Sequence, residues 1–320
     1  MKKIRCTVEQ ELQHEQICDA SGAIALGEDH FVVANDEDNL LRIYQADQSG
    51  KPVEVDINHY FDNNPNCEET DLEAVAQLDE MIYWITSHGR NSKGKFKPAR
   101  HQFFANRLSS SKGIKFEQVG RSYTQLVLRD MFNDKRLKCY QLEAAEKIPP
   151  KSAGGLNIEG LTITPSRGLL IGFRNPIIQG KALLIPLKNP RKLVEKKGTK
   201  ANFGKPIELD LGGLGIRSIE YWQREQCYLI VAGAYDSSDQ FALYQWSGLD
   251  QTPQRLEIIG LPSDFRPEGI LFYPGREQQF QLLSDDGSLK RIGDVPCKEI
   301  EDRNSPQKYF RSLWVRMHEV

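Results

Sequence analysis

The sequence predicts an all-β protein, a five-bladed β-propeller, and two observations lead to this prediction. First, a short phrase recurs five times, and each copy opens an apolar run. The five copies are Asp19-Ala-Ser21-Gly22, Asp71-Leu-Glu73-Ala74, Asn157-Ile-Glu159-Gly160, Gly215-Ile-Arg217-Ser218 and Arg266-Pro-Glu268-Gly269. Second, further apolar runs separated by polar loops follow each copy, which is the repeating unit of a propeller blade. The 320 residues are therefore expected to form a single domain, residues 1–320.

The first four units each contain four short runs that are apolar or alternate with a period of two. Their predicted strands are 22–26, 31–34, 40–44 and 53–57, then 72–78, 81–86, 101–108 and 114–119, then 158–164, 169–173, 182–187 and 206–211, then 216–222, 228–232, 241–246 and 255–259. The fifth unit begins at Glu268, continues with 280–283, and is complete only if 311–317 and a strand around 4–8 join it. We therefore expect the two ends of the chain to close the ring, because an open ring leaves strand edges unpaired.

The step from Glu73 to Glu159 is the longest between phrases, and a sixth blade in this stretch is the alternative to five. Apolar and aromatic residues there follow helical spacing instead. They are Tyr123, Leu126, Val127 and Met131, then Leu137, Tyr140 and Ala144, with Pro149 and Pro150 ending the segment. The pattern favours a helical insertion near residues 121–148.

The composition excludes several classes of partner. Lys and Arg total 42 against 44 Asp and Glu, so the net charge of −2 favours neither nucleic acid nor an anionic membrane as a partner. The mean hydropathy is −0.53, no apolar stretch is long enough to span a membrane, and no signal-peptide segment follows the first residues. The six cysteines are scattered without metal-binding spacing, so we expect reduced thiols in a cytoplasmic protein.

The third residue of each phrase indicates where the functional site lies. In a propeller, the first strand of each blade lines the central channel, and the loop between the second and third strands returns to the same face. The third residues are Ser21, Glu73, Glu159, Arg217 and Glu268, and the loops that join them add Asp36, His88, Arg90, Arg174, Asn175 and Asp285. The sequence thus predicts a polar site of mixed charge at one mouth of the channel.

Three glutamates at one mouth require neutralisation, because like charges about 4 Å apart repel by roughly 4 kcal/mol at an effective dielectric near 20. Arg217 offsets one charge, and Ca²⁺, which prefers carboxylate oxygens, could offset the rest with Glu73, Glu159 and Glu268 as ligands. Two alternatives stay open: one glutamate is protonated, or Arg90 and Arg174 complete the neutralisation without metal. The glutamates could also simply accept hydrogen bonds from neighbouring strand starts.

His88 and Glu159 are the candidate catalytic residues. A histidine has an unperturbed pKa near 6.5 and can transfer protons near neutral pH, although a lone histidine more often packs or caps. The arginines Arg90, Arg174 and Arg217 are candidates for binding a small anion, with Asn175, Asp36 and Asp285 as further ligand contacts. Each arginine could instead pair with a channel glutamate.

The phrases Gly155-Leu-Asn-Ile-Glu-Gly-Leu-Thr162, His88-Gly-Arg90 and Leu283-Ser-Asp-Asp-Gly287 resemble those of an uncharacterised bacterial β-propeller family known only as a domain of unknown function. This resemblance covers most of the chain and implies the propeller without an activity. More distantly, the Glu-Gly-Leu strand openings are similar to phytase-like and paraoxonase-like propellers. That similarity implies channel carboxylates that hold calcium during phosphoester or lactone hydrolysis, here Glu73, Glu159 and Glu268. Ser21 and Arg217 depart from this pattern, since arginine cannot bind calcium.

These observations predict a cytoplasmic propeller that is a metal-assisted hydrolase of a small anionic ester. The alternative is a non-enzymatic scaffold for protein–protein interaction, with the helical insertion and two basic loops, residues 93–100 and 188–200, as contact surfaces. No GxSxG, HExxH, P-loop or GxGxxG motif occurs in the chain, so enzyme classes that depend on these motifs are excluded.

Overall fold

A computed structural model describes residues 4–109, 114–248 and 251–319 of the chain. Within these residues, five sheets of four or five strands form the blades of a five-bladed β-propeller. The long N-terminal strand β1 (Ile4–Glu15) comes before the first blade in sequence and belongs to the last. The predicted fold class is therefore confirmed, and the alternative of six blades is not.

Blades 1 to 4 are four-stranded antiparallel sheets whose strands follow chain order from the channel outward. Blade 1 contains β2 (Ala23–Leu26), β3 (His30–Val33), β4 (Leu40–Gln45) and β5 (Val53–Asp56). Blade 2 contains β6 (Leu72–Leu78), β7 (Met81–Thr86), β8 (Phe103–Ser109) and β9 (Lys115–Tyr123). Blade 3 contains β10 (Asn157–Ile163), β11 (Leu169–Asn175), β12 (Ala182–Leu187) and β13 (Ile207–Leu209). Blade 4 contains β14 (Gly215–Trp222), β15 (Cys227–Gly233), β16 (Phe241–Trp246) and β17 (Gln254–Leu256).

Blade 5 is built from both ends of the chain, as the sequence predicts. Its strands are β18 (Ile258–Ile259), β19 (Pro267–Leu271), β20 (Gln279–Ser284) and β23 (Tyr309–Glu319), together with β1. β1 and β23 run antiparallel, in a register that extends from Ile4 opposite Glu319 to Glu15 opposite Tyr309. A small hairpin of β21 (Lys290–Ile292) and β22 (Val295–Pro296) lies between β20 and β23. The long pairing satisfies the edges that an open ring would expose.

The segment between β9 and β10 is an insertion with short helical turns, not a sixth blade. It contains a π-helix (Leu126–Met131), a 3-10 helix (Lys138–Tyr140) and the helix α1 (Leu142–Ala145). The predicted insertion near 121–148 begins too early, because Tyr123 still pairs with Phe103 in blade 2. Its apolar residues pack into the core between blades 2 and 3.

The other helical elements are short as well. They are α2 (Pro190–Glu195) and the 3-10 helices Asn58–Tyr60, Pro98–Arg100 and Cys297–Glu299. In the part of the chain that the structure describes, no helix has the length and apolar character needed to cross a membrane.

The core consists of apolar layers between neighbouring blades. β7, β11 and β15, the second strands of blades 2, 3 and 4, are buried along their whole length. Each of these strands is covered on both faces, so the sheets are close-packed and deform little. The first strands, which line the channel, are held in place by this packing.

The expectation of reduced thiols is wrong for two of the six cysteines. Cys18, just after β1, forms a disulfide with Cys297, with a Cα–Cα distance of 5.8 Å. The two residues are 279 positions apart and meet only because the ring closes, which the spacing of cysteines in the sequence does not reveal. Cys6, Cys67, Cys139 and Cys227 are free. Disulfides persist mainly in oxidising compartments, so a cytoplasmic location stays a prediction.

Candidate functional site

A cavity of about 450 Å³ lies at the mouth of the central channel, and all five third residues of the repeated phrase line it. They are Ser21, Glu73, Glu159, Arg217 and Glu268. Asp36, Arg174 and Asp285 from the predicted loops line it as well. A volume of this size suits a small molecule. We call this site the mouth cavity.

Four of the five third residues lie where the register of the first strand shifts. The pairing of β6 with β7 shifts between Leu72 and Ala74, so Glu73 is the extra residue of a β-bulge. The pairings in blades 3, 4 and 5 shift in the same way at Glu159, Arg217 and Glu268. A bulge redirects a side chain and leaves one residue of the strand without a partner on the neighbouring strand. The repeated phrase therefore corresponds to a repeated bulge that directs a polar side chain to the channel mouth.

Glu159 is held on one side of the cavity by two donors. Its Oε1 accepts hydrogen bonds from Arg174 Nη1 at 2.9 Å and from Asn157 Nδ2 at 2.6 Å. Arg174 also donates to the carbonyl oxygens of Ala234 at 2.7 Å and Asp236 at 2.8 Å. The guanidinium of Arg174 is thus occupied by protein acceptors, as in the alternative that pairs each arginine with a channel glutamate.

Arg217 forms the second ion-paired cluster of the cavity. It pairs with Glu268, contacts Asp285 Oδ2 at 3.3 Å through Nη2, and places Nε 4.0 Å from Glu159 Oε2. Burial and the nearby Arg174 charge lower the pKa of Arg217. Gly233 makes room for this side chain, since a Cβ at residue 233 would stand 2.5 Å from Arg217 Cδ.

Asp19 and Asp285 form a carboxyl–carboxylate pair in the cavity wall. Burial and the Asp285 charge raise the pKa of Asp19 well above its usual value. Burial acts on Asp285 in the same direction, yet the hydrogen bond from Asp19 and the charge of Arg217 bring its pKa down to about 2. Gly287 N–H also donates to Asp285 at 3.2 Å, and a Cβ at residue 287 would stand 2.0 Å from Asp19 Oδ1. The opposite directions of the two pKa shifts favour Asp19 as the proton donor of the pair.

Asp36, Asp71 and Glu73, from blades 1 and 2, form an acidic surface that we call the acidic wall. Burial, then the Asp71 charge, raise the pKa of Asp36 to about 7. Burial raises the pKa of Asp71 to about 6, although Arg100 Nη1 contacts its carboxylate at 2.8 Å. Burial and the charge of Glu159 raise the pKa of Glu73 well above its usual value. Within the described residues, Glu73 has neither a hydrogen bond nor an ion pair through its carboxylate.

Sequence reasoning missed Asp19, Asp71 and Asn157, although all three stand in the repeated phrases. The first residue of the phrase was a signal that could have found them, because it recurs as Asp or Asn in blades 1 to 3. Their contacts could not be found in the same way, since Arg100 and Asp285, the latter itself predicted at the mouth, come from distant loops.

His88 does not line the mouth cavity. It is fully buried, and its Nδ1 lies 3.3 Å from Nδ1 of His101. Burial lowers the pKa of His88 well below its usual value, which keeps the ring neutral. These contacts give no route to the cavity, so we assign His88 no part in the proposal below.

Arg90 and Asn175 also lie outside the lining and hold loops in place. Arg90 Nη2 pairs with the Glu146 carboxylate at 3.2 Å, which ties the loop after β7 to the helical insertion. Asn175 Nδ2 donates to the carbonyl oxygens of Pro150 and Ser152 at 2.8 and 2.7 Å. Asn175 thereby positions Lys151, which does line the cavity.

Six cations line the mouth cavity, and they differ in whether they are paired. Arg100, Arg174, Arg217 and Arg266 each pair with a carboxylate. Across the described residues, the ammonium groups of Lys151 and Lys298 have no hydrogen bond or ion pair. These two lysines are the cations available to a ligand.

Among residues 4–109, 114–248 and 251–319, no group of three His, Cys, Asp or Glu side chains is close enough to hold a metal ion. Glu159 and Glu268 are neutralised by Arg174 and Arg217 instead. These contacts agree with the arginine alternative for Arg174 and Arg217, whereas Arg90 pairs with Glu146 and Glu73 has no arginine partner among the described residues. Calcium binding stays a prediction, for which an experiment is given below.

Comparison with known proteins agrees with the resemblance seen in the sequence. A family described as "Protein of unknown function (DUF3616)" matches residues 19–121 and 110–260. No curated protein matches the chain. Among solved structures, glutaminyl cyclase of Myxococcus xanthus is similar at 12% identity, with a TM-score of 0.52 over 100% of this chain and 99% of that chain. The PQQ-bound aldose sugar dehydrogenase of Streptomyces coelicolor is 11% identical, with a TM-score of 0.51 over 99% of both chains. At these identities the likeness shows the fold alone.

Proposed function

The chain belongs to the DUF3616 family of proteins of unknown function, and from this premise we propose an activity on the basis of its own mouth cavity. We propose a hydrolase that cleaves a small anionic ester. The observation that carries the proposal is the set of carboxyl groups around one cavity, in which Asp285 is ionised, Asp19 holds a proton and Asp36 has a pKa of about 7. Environments that separate carboxyl pKa values in this way are typical of acid–base catalysis.

In the proposed mechanism, Asp36 is the general base. A base is most effective when its pKa is near the pH at which the enzyme works, and the pKa of Asp36, about 7, is close to neutral pH. Asp36 accepts a proton from a water molecule while the water oxygen forms a bond to the ester centre. The bond to the leaving alkoxide breaks, and Asp19 gives its proton to that oxygen. The proton on Asp36 then passes to Asp19 and restores both groups.

Lys151 and Lys298 would bind the anionic part of the substrate. Both line the cavity, and neither forms an ion pair with a carboxylate among the residues that the structure describes. Arg174, which the sequence suggested for this role, is occupied by Glu159 and two carbonyl oxygens. Arg217 supports the reaction indirectly, because its charge keeps Asp285 ionised and so keeps the proton on Asp19.

The test is turnover of two probes, p-nitrophenyl phosphate and mono-p-nitrophenyl succinate, by metal-stripped protein. We expect at least one to be hydrolysed, with a rate that falls as the pH drops below about 7, because protonated Asp36 cannot act as a base. Asp36→Asn should lower kcat about 100-fold. Glu28→Gln, in the exposed turn between β2 and β3, is the control. Unchanged kcat in Asp36→Asn, or no turnover of either probe, would contradict the proposal.

A further inference from the structure

We propose that the ligand of the mouth cavity carries a protonated amine, which binds at the acidic wall through Glu73 and Asp71 and leaves Asp36 free to act as the base. This inference rests on the proposed function, because it narrows the substrate class of the same cavity. Combined with the anionic group that Lys151 and Lys298 would bind, it describes a small zwitterionic ester.

The first argument is the hydrogen-bonding capacity of the acidic wall. In the described part of the chain, Glu73 has no hydrogen bond or ion pair, and Oδ1 of Asp36 is buried without a hydrogen-bond partner. Arg100 contacts Asp71 through Nη1, but its Nε and Nη2 donate to Glu69. The exposed Lys151 lines the same cavity, and its charge opposes the rise that burial causes in the pKa of Asp36, without forming an ion pair among the described residues. The carboxyl groups of the wall therefore have hydrogen-bonding capacity that the described residues leave unused.

The second, independent argument concerns buried acceptors next to the wall. Asn157 and Glu159 line the cavity and are only 4% and 3% exposed. Oδ1 of Asn157 and Oε2 of Glu159 have no hydrogen-bond partner among the described residues. Buried polar atoms are normally paired, so Oδ1 of Asn157 indicates a donor that the protein does not itself provide, whereas Oε2 of Glu159 has Arg217 Nε at 4.0 Å. An ammonium group has three donors and no acceptor, which matches this demand.

The arrangement of the carboxylates favours an amine over a metal ion. A metal ion needs several ligands at about 2 to 2.6 Å from one point. No three acidic side chains of the described residues converge in that way. The acceptors are spread over blades 1 to 3 instead, and the cavity of about 450 Å³ has room for an organic cation with its stem. Lys298, on the blade 5 side, would then contact the other end of the ligand.

The experiment measures binding without turnover, by thermal unfolding and calorimetry with four probes: pentylamine, pentanoate, 5-aminopentanoate and CaCl₂. We expect pentylamine and 5-aminopentanoate to raise the unfolding midpoint, because a ligand of the folded state stabilises it. Pentanoate and CaCl₂ should raise it less. Glu73→Gln should weaken amine binding about tenfold, since it removes a charge-assisted contact while keeping the side-chain volume.

Two controls make the result specific. Glu28→Gln, outside the cavity, should bind amines like the wild type. Lys151→Met should bind pentylamine at least as tightly as the wild type, because it removes a competing cation. The midpoint of each variant without ligand reports whether it is folded.

Three results would overturn the inference: no effect of either amine, a rise with CaCl₂ or pentanoate that exceeds the rise with pentylamine, or unchanged amine binding in folded Glu73→Gln. Failure of the proposed function is distinguishable from these. Amine binding without turnover of any ester would refute the hydrolase and leave the subsite intact. Ester turnover without amine binding would refute only the subsite.

Discussion

Single residues define this site, because four of the five innermost strands each contribute one side chain at a bulge. The extra residues Glu73, Glu159, Arg217 and Glu268 occupy equivalent positions in four blades, yet their surroundings differ. Arg217 and Glu268 pair with each other and Glu159 pairs with Arg174, whereas Glu73 has no such partner within the described chain. The ring thus repeats the same β-bulge in four blades, while the side chain at the bulge and its ion-pair partner differ from blade to blade.

Replacing Glu159 tests whether Arg174 neutralises the glutamate charge at the channel mouth. Glu159→Gln should lower the free energy of unfolding by about 2 kcal/mol, because it weakens a buried hydrogen bond to the Arg174 charge. Urea unfolding measures this change. The exposed pair of Glu80 with Arg191 provides the control, and Glu80→Gln should leave stability unchanged.

Wild type and Glu159→Gln also test whether calcium binds at the mouth cavity. If arginines neutralise the glutamates, Ca²⁺ added to metal-stripped wild type should not raise the unfolding midpoint. A rise in wild type that Glu159→Gln abolishes would show instead that the glutamates bind the metal, as the sequence led us to expect.

The side chains at the channel mouth could be predicted from the sequence, because the phrase repeats and its third residue is polar. The sequence leaves the pairing of arginines with channel glutamates as an open alternative, but the contacts of Asp285 with Arg217 and with Asp19 could not be predicted, since they form only after distant loops converge. His88 shows the limit of such reasoning. It follows an apolar strand as a mouth residue would, but its ring packs against His101.

At the scale of elements, the helical insertion is part of the core. Leu126, Val127, Met131 and Leu137 are buried between blades 2 and 3, and Arg90 ties the insertion to blade 2 through Glu146. The helical spacing in the sequence therefore reports real packing. It does not give the bounds of the turns, because short π and 3-10 helices follow the tertiary contacts more than local propensity. The insertion exposes few apolar residues, so it presents little apolar surface to a partner protein.

Leu137→Ala should therefore destabilise the protein by about 3 kcal/mol, because it removes a side chain that is 2% exposed and leaves a cavity. Thermal or urea unfolding measures the change. The nearby exposed Lys135→Ala is the matched control and should have no effect. A small effect of Leu137→Ala would mean that the insertion is loosely attached and free to act as a contact surface.

At the scale of the whole molecule, the ring is closed twice, by strand pairing and by a disulfide. The pairing of β1 with β23 could be predicted, since the fifth unit lacks strands and both ends of the chain supply alternating apolar runs. The disulfide could not, because nothing in the sequence singles out Cys18 and Cys297 among six scattered cysteines. Cys18 directly precedes Asp19, and Cys297 directly precedes Lys298, so the bond joins the neighbours of two cavity residues.

Cys297→Ser should accordingly lower both stability and activity. We expect a loss of about 2 to 5 kcal/mol, because the bond closes a long loop in the unfolded chain. Ester turnover should fall as well, since Asp19 and Lys298 are no longer held together. Urea unfolding and initial rates, with and without dithiothreitol, measure the two effects. Cys139→Ser, at an exposed free thiol, is the control. Equal rates in both variants would show that the site does not depend on this bond.

The position of the disulfide also determines how the ring responds to mechanical force. β1 and β23 lie outside the covalent loop from Cys18 to Cys297, and each is attached to it at one end. Tension applied to the two chain ends would separate β1 from β23, starting at their paired outer ends. The force would then be transmitted through the disulfide and not through the blades that lie between Cys18 and Cys297 in the chain. The disulfide would keep Cys18 and Cys297, and with them the neighbouring cavity residues Asp19 and Lys298, joined after β1 and β23 have separated.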